Sequence, residues 1–353
     1  MTTFNEHVYA VTVTYGNRFH LLKQVIDAAL AEGVAKVIVV DNNSAPESRD
    51  KLKAYEKELG NNKIKVLYLD DNYGSAGGFK RGLEAAYNDS ECEYIWLLDD
   101  DNVPQKDSLK VLENFWKGIK RKDKNEKVSL LSYRKDRVAY KKAIMSNKSD
   151  FVLGRKNSFL GFHIIDLPKK VVKIIKRKIG VKTFLENQSI SSGKVSVAPY
   201  GGMFFHRNLI NTIGYPNEEL YLYADDHEWS FRITQQGGNI ILCLDSEIED
   251  VDLSWHLQKK ESVSLQNYLN NNQRFRIYFT IRNRVFFEQK NLITSKKIYL
   301  INKRIYLFMI FFFALFSNKL SQLSLIKKAV KEGEKGDFSK NKVEEMLNEY
   351  TGY

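Results

Sequence analysis

The first hundred residues alternate between short apolar runs and segments with helical periodicity. The apolar runs cover residues 8–15, 36–40, 64–69 and 94–98, and their branched and aromatic side chains predict buried strands. Helical segments separate the runs, and the third of these extends through Tyr87. Strands that alternate with helices predict an α/β fold, with a mostly parallel sheet flanked by helices.

Each predicted strand ends in polar residues. The carboxyl ends of parallel strands meet along one edge of the sheet, and open α/β sheets bind their ligands there. The sequence therefore predicts a site at this edge. Its candidate side chains are Thr14, Asp41, Asp70, Asp71, Asn72 and Asp99.

Three adjacent aspartates, Asp99, Asp100 and Asp101, directly follow the run 94–98. Their carboxylates repel one another and lose hydration unless a cation neutralises them. In an extended chain, alternate side chains share a face, so Asp99 and Asp101 could hold one metal ion while Asp100 points elsewhere. The alternative is a solvated acidic turn, but the strand in front favours a metal site.

Two further features of the same region suggest a nucleotide ligand. Asp41 could accept hydrogen bonds from a base or ribose, although it could equally cap the next helix. Residues 72–79 include Gly74, Gly77 and Gly78, which would let the backbone approach a ligand closely. The following helix would offer N–H groups to phosphate. The segment matches neither the dinucleotide fingerprint nor a Walker loop, and any one glycine could simply serve a turn.

Asp225 and Asp226 lie at the start of a predicted helix that extends to about residue 236. The helix dipole stabilises carboxylates there, which suits a general base that must be ionised at neutral pH. Simple helix capping is the alternative. Further along, His256 follows Trp255, and imidazole can complete a manganese-like site formed by carboxylates.

The chain carries 55 Lys and Arg against 43 Asp and Glu, a formal charge of +12. This excess suggests an anionic partner, whether nucleic acid, phospholipid or a phosphorylated ligand. The two cysteines, Cys92 and Cys243, predict core thiols in a reducing cytosol rather than a zinc site or a disulfide. The N-terminal residues do not have the pattern of a signal peptide.

Two segments suggest contact with a membrane surface. The apolar run 305–316 has basic flanks and several phenylalanines, but twelve residues are too few to cross a bilayer, which needs about 20. Residues 168–182 combine apolar residues at helical spacing with many lysines. Such basic amphipathic segments often lie on anionic membranes, although a surface helix packed on the domain fits the second pattern equally well. We expect a cytoplasmic protein, peripheral on the inner face of the cell membrane.

The rest of the chain predicts a second, helical region. Residues 129–194 are basic and irregular and suggest an insertion, whereas residues 195–205 and 239–244 regain strand character. Beyond residue 266 the chain looks helical and basic. We therefore predict a catalytic domain over residues 1–265 and a C-terminal helical extension over 266–353.

In order and spacing, these motifs together resemble glycosyltransferase family 2 over about residues 8–290. The resemblance is carried by residues 11–15, 39–44, the glycine segment, the triple aspartate, Asp225 with Asp226, and Trp255 with His256. Within the family the motifs are most similar to those of galactofuranosyltransferases, with rhamnosyltransferases as near neighbours. The resemblance implies a GT-A fold, a nucleotide-sugar donor and inversion at the transferred sugar.

The resemblance also implies roles for individual residues. Asp226 would be the general base, with Asp225 as the second candidate. Asp99, Asp101 and His256 would hold Mn²⁺ or Mg²⁺ on the donor diphosphate. The remaining residues implied in donor binding are Thr12, Tyr15, Asp41, Asn72, Gly77, Gly78, Asp100, Gly201, Gly202 and Arg282.

The expected donor is UDP-galactofuranose and the expected acceptor is a lipid-linked cell-surface glycan; nucleic acid is not an expected partner. One alternative keeps the fold and uses dTDP-rhamnose. Another is a nucleotidyltransferase, which would release pyrophosphate. A third is a basic lipid- or nucleic-acid-binding protein whose acids only cap helices, and such a protein would bind no nucleotide sugar.

Overall fold

The computed structural model describes residues 4–168, 190–252, 265–270 and 273–339. The chain divides into two compact units. Unit 1 contains Met1–Val152 and Ile190–Lys260, and unit 2 contains Leu153–Ser189 and Glu261–Tyr353. These boundaries differ from the predicted division at residue 265, because residues 153–168 belong with the C-terminal helices.

Unit 1 contains a nine-stranded sheet in which the order is β3-β2-β1-β4-β8-β6-β9-β5, with β7 also paired to β9. Six strands run in one direction, and β5, β7 and β8 run against them. The strands are β1 Val8–Thr14, β2 Lys36–Asp41, β3 Ile64–Tyr68, β4 Tyr94–Asp99, β5 Asn102–Pro104, β6 Val128–Tyr133, β7 Ser192–Val195, β8 Met203–His206 and β9 Asn239–Asp250.

Helices of unit 1 cover both faces of the sheet. They are α1 Phe19–Ala31, α2 Pro46–Leu59, α3 Gly74–Tyr87, α4 Ser108–Gly118, α5 Lys124–Lys127, α6 Val138–Met145, α7 Leu209–Ile213 and α8 Asp225–Gln235. The four predicted N-terminal strands and the helix that begins at Asp225 are confirmed.

Strand β1 is buried along its whole length because alternate side chains enter two different cores. Val11 and Val13 pack with Phe79 of α3, whereas Val8 and Ala10 pack against α1 and other helices on the opposite face. Apart from the buried Thr12 and Thr14, its residues are apolar or aromatic, as expected for a strand that is covered on both faces.

The region predicted as an irregular insertion begins with a strand of the sheet. Strand β6 pairs antiparallel with β8 and parallel with β9. Its six residues are all buried, so this strand is part of the main core. The lysines that follow obscured its pattern in the sequence.

Unit 2 is helical in its described part. Its helices are α9 Leu265–Asn270, α10 Arg274–Asn291, α11 Lys296–Phe316 and α12 Leu320–Lys335. Residues 153–168 pack on these helices through polar side chains. Asn302 donates to the Asn157 carbonyl and accepts from the Ile164 N–H, and Glu288 accepts from the N–H groups of Leu160 and Gly161.

Helix α11 is longer than the apolar run that signalled it. It has 21 residues and a mean hydropathy of 1.7 in its most apolar window, so by length and composition it could cross a membrane. The prediction of twelve residues missed residues 296–304, about two and a half turns, which contain Lys296, Lys297, Lys303 and Arg304.

Candidate functional site

The triple aspartate lies where β4 ends, beside the end of β1. Thr14, the last residue of β1, donates from Oγ1 to Asp100 Oδ2 at 2.8 Å. Arg18 follows in the loop after β1, and its guanidinium donates to both oxygens of Asp100 at 3.0–3.1 Å. The buried middle carboxylate is therefore bound by protein donors and fixes the two parallel strands to each other.

Asp99 and Asp101 have different neighbours from Asp100. Asp101 accepts from Arg18 Nη2 at 2.9 Å and from the amide of Asn102 at 3.0 Å. Asp99 Oδ2 lies 3.6 Å from Arg134 Nη1, and its side chain remains 36% exposed. Asp99 is therefore the member of the triad that is most accessible to a ligand.

The same two arginines reach the far end of β9. Arg18 Nη1 donates to Asp252 at 2.7 Å, and Arg134 Nη2 donates to Asp250 at 2.5 Å. Asp250 lies opposite Asn102 in the β5–β9 pairing. Each arginine therefore joins the triple aspartate to residues more than a hundred positions away in sequence.

The carboxylates raise one another's pKa despite these arginines. Removal from bulk water is the largest cause for Asp99 and Asp101, and neighbouring aspartates add to it. The pKa of Asp99 rises to about 6 and that of Asp101 to about 8. We call the space beside Asp99 and Asp101 the crevice. A further positive charge there would relieve this repulsion.

The donor atoms near Asp99 fit a hard divalent cation. Asn102 is fully buried, and its Oδ1 has no hydrogen-bond partner. A Cβ on Gly201 would lie 2.1 Å from this oxygen and 2.6 Å from Asp99 Oδ2, so both oxygens face the bare backbone of Gly201. Carboxylate and amide oxygens are the ligands that Mg²⁺ and Mn²⁺ prefer.

The predicted metal ligands do not all lie within the described residues. Within the described ranges, no group of three His, Cys, Asp or Glu side chains is arranged to hold a metal ion. His256, with Trp255, lies outside the described residues, as do residues 169–182 of the basic amphipathic segment.

The glycine segment forms the first turns of α3 rather than a loop. Asn72 precedes the helix, and its Oδ1 accepts from the Gly74 N–H at 2.9 Å. Asn42, at the end of β2, accepts from the Tyr73 N–H at 2.8 Å and donates to Asn72. The end of β2 and the start of α3 are thereby held together at the edge of the sheet.

Close packing accounts for Gly74, Gly77 and Gly78. A Cβ on Gly78 would lie 2.5 Å from Val13 Cγ1, and a Cβ on Gly74 would lie 2.0 Å from the Tyr221 carbonyl oxygen. Gly77 is buried against Tyr73. The glycines thus let α3 approach both β1 and the loop that precedes α8.

That loop positions the acid pair. Tyr221, Tyr223 and Ala224 all have positive φ, a conformation that costs energy for residues other than glycine and that often marks functional sites. The Ala76 N–H donates to the Tyr221 carbonyl at 3.2 Å, which ties the loop to α3. The start of α8 therefore has a fixed place beside α3.

Asp225 and Asp226 have different surroundings at the start of α8. Asp225 is buried and accepts from Ser75 Oγ at 2.7 Å. Its burial, together with the charge of Asp226, raises its pKa to about 7. Asp226 is only half-buried, and its charge contributes to the raised pKa of Asp99. Asp226 and the triple aspartate therefore share one electrostatic environment.

Other predicted donor-binding residues lie at the same edge. Asp41 is fully buried, with one oxygen accepting from the Ser44 N–H and the other from Arg49 Nε. Thr12 is buried within β1, and Tyr15 is 45% exposed, next to Arg18. Gly202 has φ +96°, and its N–H donates to the Leu97 carbonyl of β4.

Comparison with known proteins finds a family model that matches part of the chain. The family model described as glycosyl transferase family 2 matches residues 9–181, which include β1 to β6 and the triple aspartate. The chain contains a glycosyltransferase family 2 domain. It is a glycosyltransferase, as predicted.

Relatives of this glycosyltransferase are distant. The low-salt glycan biosynthesis hexosyltransferase Agl10 of Haloferax volcanii is 23% identical over 266 residues, 75% of this chain and 70% of that protein.

Two solved structures each superpose with a TM-score of 0.50. GalNAc-T7 with UDP, GalNAc and Mn²⁺ is 12% identical, and the match covers 86% of this chain but only 54% of that one. The mannosyltransferase PcManGT from Pyrobaculum calidifontis, with GDP-Man and Mn²⁺, is 13% identical over 93% of this chain and 74% of its own. This likeness confirms the predicted GT-A fold.

Arg282 of the glycosyltransferase lies in unit 2. It is fully buried, stacks near Phe279 and Phe338, and donates to Asn283 Oδ1 at 2.9 Å. Burial lowers its pKa. Its role in donor binding stays a prediction, as do the roles of the other candidate residues.

Sequence reasoning missed several residues of the glycosyltransferase site. A signal was available for Arg18, which follows a strand that ends at the predicted edge. None was available for Arg134, Asp250 or Asp252, because only the pairing of β6, β9 and β5 brings them to the triple aspartate. Ser75 was also missed as the partner of Asp225.

Proposed function

We propose that this glycosyltransferase is a metal-dependent, inverting hexosyltransferase that transfers galactofuranose from UDP-galactofuranose to a hydroxyl group of a glycan. The observation that carries the proposal is that the charge of Asp226 acts on Asp99. A candidate base therefore lies near a candidate metal ligand, as a reaction between a diphosphate-linked donor and a hydroxyl acceptor requires.

The proposed metal is Mn²⁺ or Mg²⁺, held by Asp99 and Asp101, with His256 as the further ligand that the family resemblance implies. Mn²⁺ accompanies the nucleotide or nucleotide sugar in both structural neighbours. When bound, the ion neutralises charge on the departing diphosphate. Arg18 and Arg134 hold the two aspartates in place and limit their mutual repulsion.

The proposed base is Asp226. Its carboxylate takes the proton of the acceptor hydroxyl as the acceptor oxygen bonds to the anomeric carbon, and the bond from that carbon to the diphosphate oxygen breaks on the opposite face. The sugar configuration is therefore inverted. Asp225 is less suited to this step because it is buried and its carboxylate is bonded to Ser75.

The proposed acceptor is a lipid-linked cell-surface glycan, and the proposed location is the cytoplasmic face of the cell membrane. Two features support this part of the proposal: the net charge of +12 and the exposed phenylalanines of α11. The name of the relative Agl10 refers to glycan biosynthesis.

A donor panel tests the proposed donor. UDP-galactofuranose, UDP-galactopyranose and dTDP-rhamnose are each supplied with Mn²⁺, and nucleoside diphosphate release is measured. We expect UDP-galactofuranose to be preferred and EDTA to abolish release. A clear preference for dTDP-rhamnose would overturn the donor assignment, and release of pyrophosphate would indicate a nucleotidyltransferase.

The Asp226→Asn variant tests the base. We expect transfer to be lost while donor binding, measured by calorimetry, persists. The matched control is Asp245→Asn, which changes an exposed aspartate on β9. Loss of donor binding in Asp226→Asn would show that this residue binds the donor or the metal instead.

A further inference from the structure

Unit 2 exposes a concentrated apolar surface at one end of a helical hairpin. Helix α11 ends at Phe316, residues 317–319 connect the helices, and α12 begins at Leu320. Phe316 and Phe308 are 85% and 64% exposed. We call the following residues the hairpin end: Phe308, Phe311, Phe312, Phe313, Leu315, Phe316 and Leu320. Contiguous apolar surface of this kind is rare on soluble monomers and marks an interaction site.

One face of the first half of α11 packs inside unit 2. Tyr299 and Tyr306 are buried, and their rings lie 5.7 and 5.4 Å from the ring of Phe159. Between them, the fully buried Asn302 bonds to residues 157 and 164. Lys303 pairs with Glu334 of α12. These residues pack against protein and are not available to lipid.

The exposed phenylalanines of the helix cover too short a length to cross a bilayer. Residues 307–316 span about 15 Å at the helical rise, whereas the hydrocarbon core is about 30 Å thick. Although α11 as a whole has the length and composition of a spanning helix, one face of it is buried along its whole length, at Tyr299, Asn302, Tyr306, Ile310 and Ala314. The hairpin end therefore reaches no further than one leaflet.

The charge around the hairpin end indicates which partner binds there. Residues 305–328, which contain the hairpin end, carry three Lys and no Asp or Glu. Lys319 lies in the connection, and Lys327 lies 5.9 Å from the ring of Phe311. Basic residues beside exposed aromatic rings are typical of segments that bind anionic membranes. Two copies of the same basic surface would repel each other.

We propose that the hairpin end inserts into the headgroup and upper acyl region of an anionic lipid bilayer, with the surrounding lysines on the headgroups. The inference deepens the membrane part of the proposed function, but it depends on unit 2 alone. A failed vesicle experiment would therefore leave the donor and metal assignments standing, and a failed donor panel would leave this surface standing.

The experiment measures co-sedimentation of the full-length protein with vesicles of phosphatidylcholine alone, or with one third phosphatidylglycerol. We expect binding to the anionic vesicles that weakens as salt rises. The double variant Phe312→Ser/Phe316→Ser should bind them at least about tenfold more weakly. Lys327→Gln/Lys328→Gln should reduce the preference for anionic over neutral vesicles.

The matched control is Ile164→Ser/Ile165→Ser, which changes two exposed apolar residues of unit 2 outside the hairpin end. It should bind vesicles as the unchanged protein does, and all variants should retain the circular dichroism spectrum. Unchanged vesicle binding by Phe312→Ser/Phe316→Ser would overturn the proposal. So would a dimer that this variant dissociates, if the unchanged protein binds no vesicles, because the surface would then be a contact between copies.

Discussion

Both units bury charged side chains, but the units differ in how these charges are compensated. In unit 2, Glu288 is fully buried, and it accepts hydrogen bonds from two backbone N–H groups and from Arg284. In unit 1, the pKa values of Asp99 and Asp101 are raised by burial and by the charges of neighbouring aspartates. Protein hydrogen bonds compensate the charge of Glu288, whereas Asp99 and Asp101 need further positive charge beside them.

The comparison shows that burial of a carboxylate does not by itself identify a functional site. Burial raises the pKa of Glu288 too, although Arg284 and the N–H groups of Leu160 and Gly161 oppose the shift. What distinguishes the crevice of unit 1 is the accumulation of like charges beside an unpartnered amide oxygen, that of Asn102. Each of the following predictions tests this distinction.

The largest effect is expected from Asp101→Asn. This change keeps the side-chain shape but removes a charge from the crevice, so nucleoside diphosphate release should fall about a thousandfold. Because the change also relieves repulsion, the thermal midpoint without metal should not fall. The two measurements are kcat and the melting temperature. Activity close to that of the unchanged protein would remove Asp101 from the metal site.

The next effect is expected from Gly201→Ala. The added methyl group would lie 2.1 Å from Asn102 Oδ1 and 2.6 Å from Asp99 Oδ2, so these oxygens must move. We expect kcat to fall about a hundredfold, because displacements near 1 Å have effects of that size. Gly118→Ala is the control, since a Cβ there meets nothing within 4 Å. Equal activity of both variants would contradict the prediction.

Glu288→Gln in unit 2 should lower stability and leave activity unchanged, whereas the variants above lower activity. Weakening its charge-assisted hydrogen bonds should lower the free energy of unfolding by about 2 kcal/mol. The kcat of the folded protein should not change. Glu334→Gln, which removes a partly exposed ion pair with Lys303, should cost less than about 1 kcal/mol. Denaturant titration and kcat measured on the same samples would separate the two effects.

The smallest effect is a pH dependence of stability without metal. Asp99 and Asp101 have folded-state pKa values of about 6 and about 8, above the ordinary value of 3.8. Their protonated forms therefore stabilise the fold below pH 3.8, and this contribution is lost as pH rises through 6 to 8. The melting temperature should fall by a few degrees over that range, and Mn²⁺ should restore it more at high pH. Asp101→Asn should flatten the curve.

Much of unit 1 could be predicted because its signals are local. A strand covered on both faces needs a mostly apolar sequence, and Val8–Thr14 and Lys36–Asp41 show this directly. The acid pair could be placed at a helix start because helix termini have local composition preferences. Short strand β5 and basic-flanked β6 gave weaker local signals, and their place in the sheet depends on distant partners.

The sequence by itself determined that three aspartates follow a buried strand and that an acid pair opens a later helix. Side-chain periodicity and hydrophobicity act over a few residues, so the order of residues suffices for such features. Only the tertiary structure decided that Asp100 is held by Thr14 and Arg18 while Asp99 remains accessible. It also brought Arg134 and Asp250 to the crevice. Electrostatic interactions depend on distance in space, and strand pairing across more than a hundred residues sets those distances.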